Sequence, residues 1–146
     1  MIMKTEKTKK IVHFVGIGGI GISALAQWYL SEGYEVSGTD IVKSDVTKML
    51  KKQGIKILPQ ISNSKFPSPR LVGPGPIISK KIPNPKSQIL KIIKHSNVII
   101  YSSAVPESDW ELRYAKKIGK KILSYPEALG ELTKKYKTIC VSGTHG

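Results

Sequence analysis

Along the first sixty residues, short apolar runs alternate with stretches whose apolar positions recur every three or four residues, the pattern of strands alternating with helices. Ile11-Val12-His13-Phe14-Val15 is a compact, β-branched run stopped by glycine and predicts a buried strand. After a glycine-rich turn, Ile22, Leu25, Ala26 and Tyr29 fall on one helical face, and Gly33 stands where a helix ends in a left-handed residue. Residues 35–39 predict a second strand, Val46, Met49 and Leu50 mark a second helix ended by Gly54, and residues 55–58 predict a third, short strand.

From Pro59 to Pro85 this alternation stops. Seven of the nine prolines lie there, and Gly73-Pro74-Gly75-Pro76 cannot continue a regular element, so the stretch is expected to be a long, partly disordered surface excursion. Asn84 as N-cap and Pro85 as first helical residue then open a helix with Ile89, Ile92 and Ile93 on one face, followed by the strand Val98-Ile99-Ile100-Tyr101. Ser108 and Glu111 are spaced as a capping box for a helix carrying Leu112, Ala115 and Ile118 and stopping at Gly119. After the strand at residues 121–123, Ser124 and Glu127 repeat that spacing around Pro126, for a helix carrying Leu129, Leu132 and Tyr136. A last strand is expected over residues 138–141.

The repeated strand–helix order implies parallel strands joined by right-handed crossovers. The expected fold is α/β and Rossmann-like: a doubly wound, mostly parallel sheet with helices on both faces. Residues 1–9 are polar, basic and expected to be disordered, residues 10–136 to form one nucleotide-binding domain, and residues 137–146 to begin another.

Composition narrows the function only slightly. The net charge of +14 invites a nucleic-acid reading, but all ten carboxylates lie outside residues 46–106 while eleven Lys and Arg lie inside, without interleaved aromatics for stacking bases. A lysine-rich, solvated surface that helps attract an anionic ligand fits better, with no nucleic acid as partner. No run of about 18 apolar residues is present to span a bilayer, and the start lacks the apolar core of a signal peptide. A soluble, cytoplasmic protein without a membrane partner is the default. The single cysteine, Cys140, excludes an intramolecular disulfide and, within an apolar run, reads as structural.

Chemistry concentrates in Gly16-Ile17-Gly18-Gly19-Ile20-Gly21, which has the G-x-G-x-x-G spacing between a strand and a helix. Gly16 permits the tight turn, Gly18 or Gly19 the approach of a diphosphate to the backbone, and Gly21 close packing of helix on strand. The helix N-terminus offers unpaired N–H groups to the same diphosphate, and Ser23 a hydroxyl. Asp40, nineteen residues after Gly21, is placed to accept from a ribose hydroxyl. These features suit a nucleotide diphosphate but do not distinguish its kind. A nicotinamide-binding oxidoreductase and a regulatory nucleotide-sensing module remain open on them alone.

Residues 12–23 resemble the opening of the UDP-N-acetylmuramate:L-alanine ligases, in the Mur ligase family of peptidoglycan synthesis. Two further segments match in order: Tyr101-Ser102-Ser103-Ala104-Val105-Pro106 is similar to that family's nucleotide-contacting turn, and Ser142-Gly143-Thr144-His145-Gly146 to the first part of its ATP loop. The resemblance implies a Rossmann-like N-terminal domain holding UDP-N-acetylmuramate. Gly18, Gly19, Ile20 and Gly21 would meet the diphosphate, Asp40 the uridine side, and Ser102, Ser103 and Ala104 the uracil or ribose. It implies ATP and magnesium as cofactors of the full-length enzyme, with L-alanine and ATP handled by other domains: ATP makes an acyl phosphate on the muramate carboxylate, which the amino group of L-alanine attacks to form an amide.

Gly143, Thr144, His145 and Gly146 lack the Lys and Ser or Thr that complete a phosphate loop. This chain alone is therefore expected neither to bind ATP productively nor to catalyse. No residue is assigned as a catalyst. His145 is the nearest candidate, while His13 and His95 read as structural and no Cys or His cluster suggests a metal. Trp28, Tyr29, Trp110 and Tyr114 are spaced for packing. Between Ile57 and Val98 the chain departs from the family, which has a shorter link containing acidic residues there.

Overall fold

The computed structural model describes residues 9–61 and 84–144. Among these described residues five strands and five helices alternate: β1 (Ile11–Val15), α1 (Ile20–Ser31), β2 (Glu35–Asp40), α2 (Asp45–Lys52), β3 (Lys56–Pro59), α3 (Pro85–His95), β4 (Val98–Tyr101), α4 (Trp110–Lys117), β5 (Lys121–Ser124) and α5 (Tyr125–Thr133). The strands form one sheet in the order β3-β2-β1-β4-β5, and every pairing is parallel. The chain moves outward from β1 to β3, returns through α3 to β4 on the other side of β1, and so leaves a switch point beside the end of β1.

Side-chain alternation along the strands feeds two cores. Val12, Phe14, Val36 and Ile100 pack with Ile22, Leu25 and Ala26 of α1, Leu50 of α2 and Ala128 of α5. Val15 and Ile99 point the other way, onto Ile89 and Ile93 of α3 and Leu112 and Ala115 of α4. Helices thus cover both faces, as the alternation predicts. Edge-to-face contacts among Phe14, Tyr29, Trp28 and Tyr34, with centroids 4.9 to 5.9 Å apart, bear out the packing role of Trp28 and Tyr29.

The caps read from sequence hold at the starts of α3 and α5 and at the ends of α1, α2 and α4. Asn84 accepts from the Lys86 amide ahead of Pro85; Ser124 and Glu127 form a reciprocal capping box; Gly33, Gly54 and Gly119 all take positive φ after their helices. At the start of α4 the expectation fails. Asp109 is the N-cap, accepting from the Glu111 amide, and Glu111 is wholly buried rather than turned back to the helix start. The inward positions of the eight-residue α2 are Thr47 and Leu50, which leaves Met49 off the stripe and 41% exposed. Tyr136 lies beyond the end of α5 and is exposed.

The strand expected at residues 138–141 does not form. An alternating apolar run becomes a strand only with a hydrogen-bonding neighbour; residues 138–144 pair with none of the described strands, and Ile139 and Val141 are exposed. Cys140, read as structural, is exposed with them. Of the expected excursion, Pro59 closes β3 and Pro85 opens α3, while residues 62–83 lie outside the described residues, as do residues 1–8 of the expected disordered start. No helix among the described residues is long and apolar enough to cross a membrane.

Candidate functional site

The switch point is built by the turn from β1 into α1. Gly16 sits at φ +75°, where a side chain is strained, and a Cβ there would come within 2.9 Å of Val105 and 3.1 Å of Ser102. The Gly16 and Ile17 amides both donate to the Thr39 carbonyl, at 2.8 and 3.1 Å, so the turn hangs on the end of β2. Gly18 N donates to Asp40 Oδ2 at 2.7 Å, and a Cβ on Gly18 would lie 2.8 Å from that oxygen. The second glycine is therefore required by Asp40 as well as by any ligand.

Gly19 is the N-cap of α1 and brings no side-chain acceptor; the first intrahelical bond runs from Ser23 N to the Gly19 carbonyl. The amides of the first turn, from Ile20 onward, have no acceptor within the helix and carry its positive end. Ile20 itself is 89% exposed at the rim.

Across the turn, the Ser102 amide donates to the Val15 carbonyl at 3.0 Å, which fixes the segment after β4 against the end of β1. Ser102 then folds its own turn, taking the Ala104 amide on Oγ at 3.3 Å and the Val105 amide on its carbonyl at 2.9 Å. Ser103 and Ala104 are exposed. The two segments face one another over a cleft of about 360 Å³ lined by Gly16, Gly18, Gly19, Asp40, Ile41, Val42, Ser44, Gln60, Ser102, Ala104 and Val105. Wider depressions, of about 490 and 620 Å³, lie along α4 among Lys and Arg side chains, the first beside Tyr101 of β4 and Ile122 of β5 and the second beside Lys86 and Leu90 of α3. Neither has a glycine among its lining residues to let a diphosphate approach the backbone, so the smaller cleft is the better site for a phosphorylated ligand.

The structure thus brings together Gly16, Gly18, Gly19, Asp40, Ser102 and Ala104, with Ile20, Gly21 and Ser103 beside them. Two expected roles change. Ser23 is buried and its hydroxyl donates to the Ile20 carbonyl at 2.7 Å, so it is spent within α1 rather than offered to a diphosphate. Gly21 makes room for α5, not for a strand: a Cβ there would stand 2.6 Å from the Tyr125 hydroxyl oxygen and 2.7 Å from Cζ. The glycine that admits close packing on the sheet is Gly38, whose added Cβ would meet Ile17 Cδ1 at 2.6 Å and the Phe14 carbonyl at 2.9 Å. It carries no motif spacing to announce it.

Asp40 accepts two backbone amides, Gly18 N on Oδ2 and Val42 N at 2.8 Å on Oδ1. Its first task in this structure is to lock the glycine turn. Ile41, Val42, Ser44 and Gln60 are lining residues that motif reasoning misses; Gln60 is brought to the site by β2–β3 pairing, its backbone amide donating a hydrogen bond to the Asp40 carbonyl at 2.9 Å. At the C-terminal end, Gly143 and Thr144 are exposed and His145 and Gly146 lie outside the described residues. Among the described residues no group of three or more His, Cys, Asp or Glu is placed to hold a metal.

Comparison with known proteins agrees with this architecture. A family model described as "Mur ligase family, catalytic domain" matches residues 11–137. The chain is 37% identical over 138 residues to a UDP-N-acetylmuramate–L-alanine ligase of Acetivibrio thermocellus, covering 94% of this chain and 24% of that protein. It is 36% identical over 135 residues to the enzyme of the same name from Campylobacter jejuni, covering 92% of this chain and 25% of the relative. The crystal structure of UDP-N-acetylmuramate-alanine ligase from Thermotoga maritima superimposes with a TM-score of 0.59 at 25% identity, over 85% of this chain and 23% of that one. A ligase from Neisseria meningitides that joins UDP-N-acetylmuramate to a peptide shares the fold, with a TM-score of 0.61 at 19% identity over 84% of this chain and 31% of that one. The chain spans about a quarter of the length of the curated relatives it matches. With the glycine turn, the Asp40 lock and the Ser102 turn at one switch point, and the match running from β1 to beyond α5, this chain belongs to the Mur ligase family.

Proposed function

We propose that this chain is the UDP-N-acetylmuramate-holding part of an ATP-dependent, amide-forming ligase that adds L-alanine to that substrate in peptidoglycan synthesis. The observation that carries the reading is the single cleft in which a positive helix end and the glycine-turn backbone face the Ser102–Val105 turn. In this reading the backbone of Gly18, Gly19, Ile20 and Gly21 takes the diphosphate. Asp40 meets the uridine side, since each of its oxygens accepts one amide and keeps a lone pair for a hydroxyl. Ser102, Ser103 and Ala104 take the uracil or ribose. In the same reading the protein works in the cytoplasm.

ATP with magnesium supplies the phosphoryl group that activates the muramate carboxylate in such a reaction. None of the described residues is assigned to that role, and Gly143 and Thr144 stand exposed. Binding of ATP and L-alanine is assigned to the part of the relatives' length that this chain does not span, with 137–146 as the start of that second domain. No catalytic residue is assigned here.

A calorimetric or thermal-shift titration with UDP-N-acetylmuramate, UDP and NAD in parallel tests the reading, because only a ligand that prefers the folded state stabilises it. Stabilisation by the two uridine ligands and not by NAD is the expected result. A response to NAD alone overturns it.

A further inference from the structure

Glu111 has the sequence position of an exposed capping residue and an entirely different environment. Its side chain is wholly buried beneath α4. Oε2 accepts from the Thr39 hydroxyl at 3.0 Å and lies 3.2 Å from His13 Nε2, while His13 Nδ1 lies 2.9 Å from Ser37 Oγ. The sheet register makes this possible, for His13 pairs with Ser37 and Val15 with Thr39, so His13, Ser37 and Thr39 share the sheet face covered by α4. The set closes with the imidazole proton on Nε2 and the Ser37 hydroxyl donating to Nδ1. Glu111 Oε1 is buried with no hydrogen-bond partner. As a contribution to stability alone this is a poor arrangement, since buried charged networks are often bettered by apolar side chains of similar volume.

Thr39 links the network to the cleft. Its hydroxyl is held by Glu111, and its carbonyl holds the amides of Gly16 and Ile17. Its neighbour Asp40 holds the amide of Gly18. We infer that Glu111 is a positioning residue for the glycine turn, acting through Thr39: it pins the end of β2 against α4, so that the carbonyl and carboxylate that shape the turn stay in place. The functional meaning rests on the reading of that turn as the nucleotide site, but the order of the turn is measurable without any nucleotide.

The test follows amide hydrogen exchange by NMR in the unliganded protein, wild type against E111A, E111Q and T39V. T39V keeps the strand shape and the backbone carbonyl and removes only the hydroxyl. Exchange at Gly16 and Ile17 is expected to rise about tenfold in E111A and T39V relative to the β4 amides, and to stay within about twofold of wild type in E111Q, whose amide oxygen accepts from both Thr39 and His13. Unchanged turn exchange in T39V, or exchange rising in step with β4, overturns the inference and leaves Glu111 a core residue; T39V decides alone if E111A does not fold. Affinity for UDP-N-acetylmuramate is expected to fall with turn order, about tenfold in T39V. A wild-type protein that binds no uridine ligand sinks the proposed function while the exchange result still judges Glu111.

Discussion

Gly18 N and Asp40 Oδ2 stand 2.7 Å apart, so a residue at the end of β2 sets the conformation of the turn between β1 and α1. A carboxylate beside a diphosphate site would by charge alone repel the ligand, and its removal would then tighten binding. If Asp40 instead organises the turn, removal weakens it. Charge-assisted hydrogen bonds contribute about 1.5–3 kcal/mol each, so Asp40→Ala is expected to lower affinity for UDP-N-acetylmuramate by about tenfold or more, measured by calorimetry. Tighter binding by the variant would show that Asp40 is only a nearby charge.

How far this site was legible in the sequence follows from what each residue answers to. Gly16 and the caps at Asn84 and Ser124 obey local rules, and local rules are visible in a string of letters. The parallel alternation likewise fixes the switch point, because right-handed crossovers leave few topologies. Glu111, Ser23 and Gly21 escaped because their partners are distant or compete locally: His13 is 98 residues from Glu111, Tyr125 packs on Gly21 from the far helix, and Ser23 is drawn to the Ile20 carbonyl. The apolar run at residues 138–141 misled for the opposite reason, since its periodicity is right and its pairing partner is missing among the described residues.

Glu127 provides a pH test of the α5 cap. Its carboxyl is exposed, yet it is held below its ordinary value of 4.5, first by the Ser124 backbone amide and next by the Ser124 hydroxyl, both at 2.7 Å, against a small desolvation effect. A depressed folded value means the contribution to stability is present above 4.5 and is lost as pH falls through the folded value. Ser124→Ala removes the hydroxyl and leaves the amide. The Glu127 carboxyl resonance is therefore expected to titrate closer to 4.5 in the variant than in wild type, though not to reach it. Identical midpoints in the two proteins would assign the whole shift to the amide.

Gly38 is expected to tolerate substitution least among the glycines of the sheet face. An added Cβ meets the branched Ile17 side chain and, at 2.9 Å, the backbone carbonyl of Phe14, and backbone in a paired strand has nowhere to move. Gly38→Ala should lower stability by about 3 kcal/mol in denaturant unfolding, at the upper end of overpacking effects. A loss under about 1 kcal/mol would mean that β1 and β2 slide apart more easily than their register suggests.

Gly21 and Gly130 are both helical glycines, and their surroundings predict opposite signs. At Gly130 nothing lies within 4 Å of an added Cβ, so Gly130→Ala gains the helix propensity of alanine, about 1 kcal/mol of added stability. At Gly21 the same gain is opposed by the tip of the Tyr125 ring, whose oxygen stands 2.6 Å from the new Cβ. The phenol belongs to a side chain and can swing, so the net loss at Gly21→Ala should be about 1–2 kcal/mol rather than the larger loss expected where backbone is struck. Pairing it with Tyr125→Ala separates the two terms: if the clash is what destabilises, the Gly21→Ala loss vanishes or turns to a gain in the Tyr125→Ala background. A loss of the same size in both backgrounds would place its cause in the α1 backbone, and Tyr125 would no longer explain why α1 carries glycine at its second position.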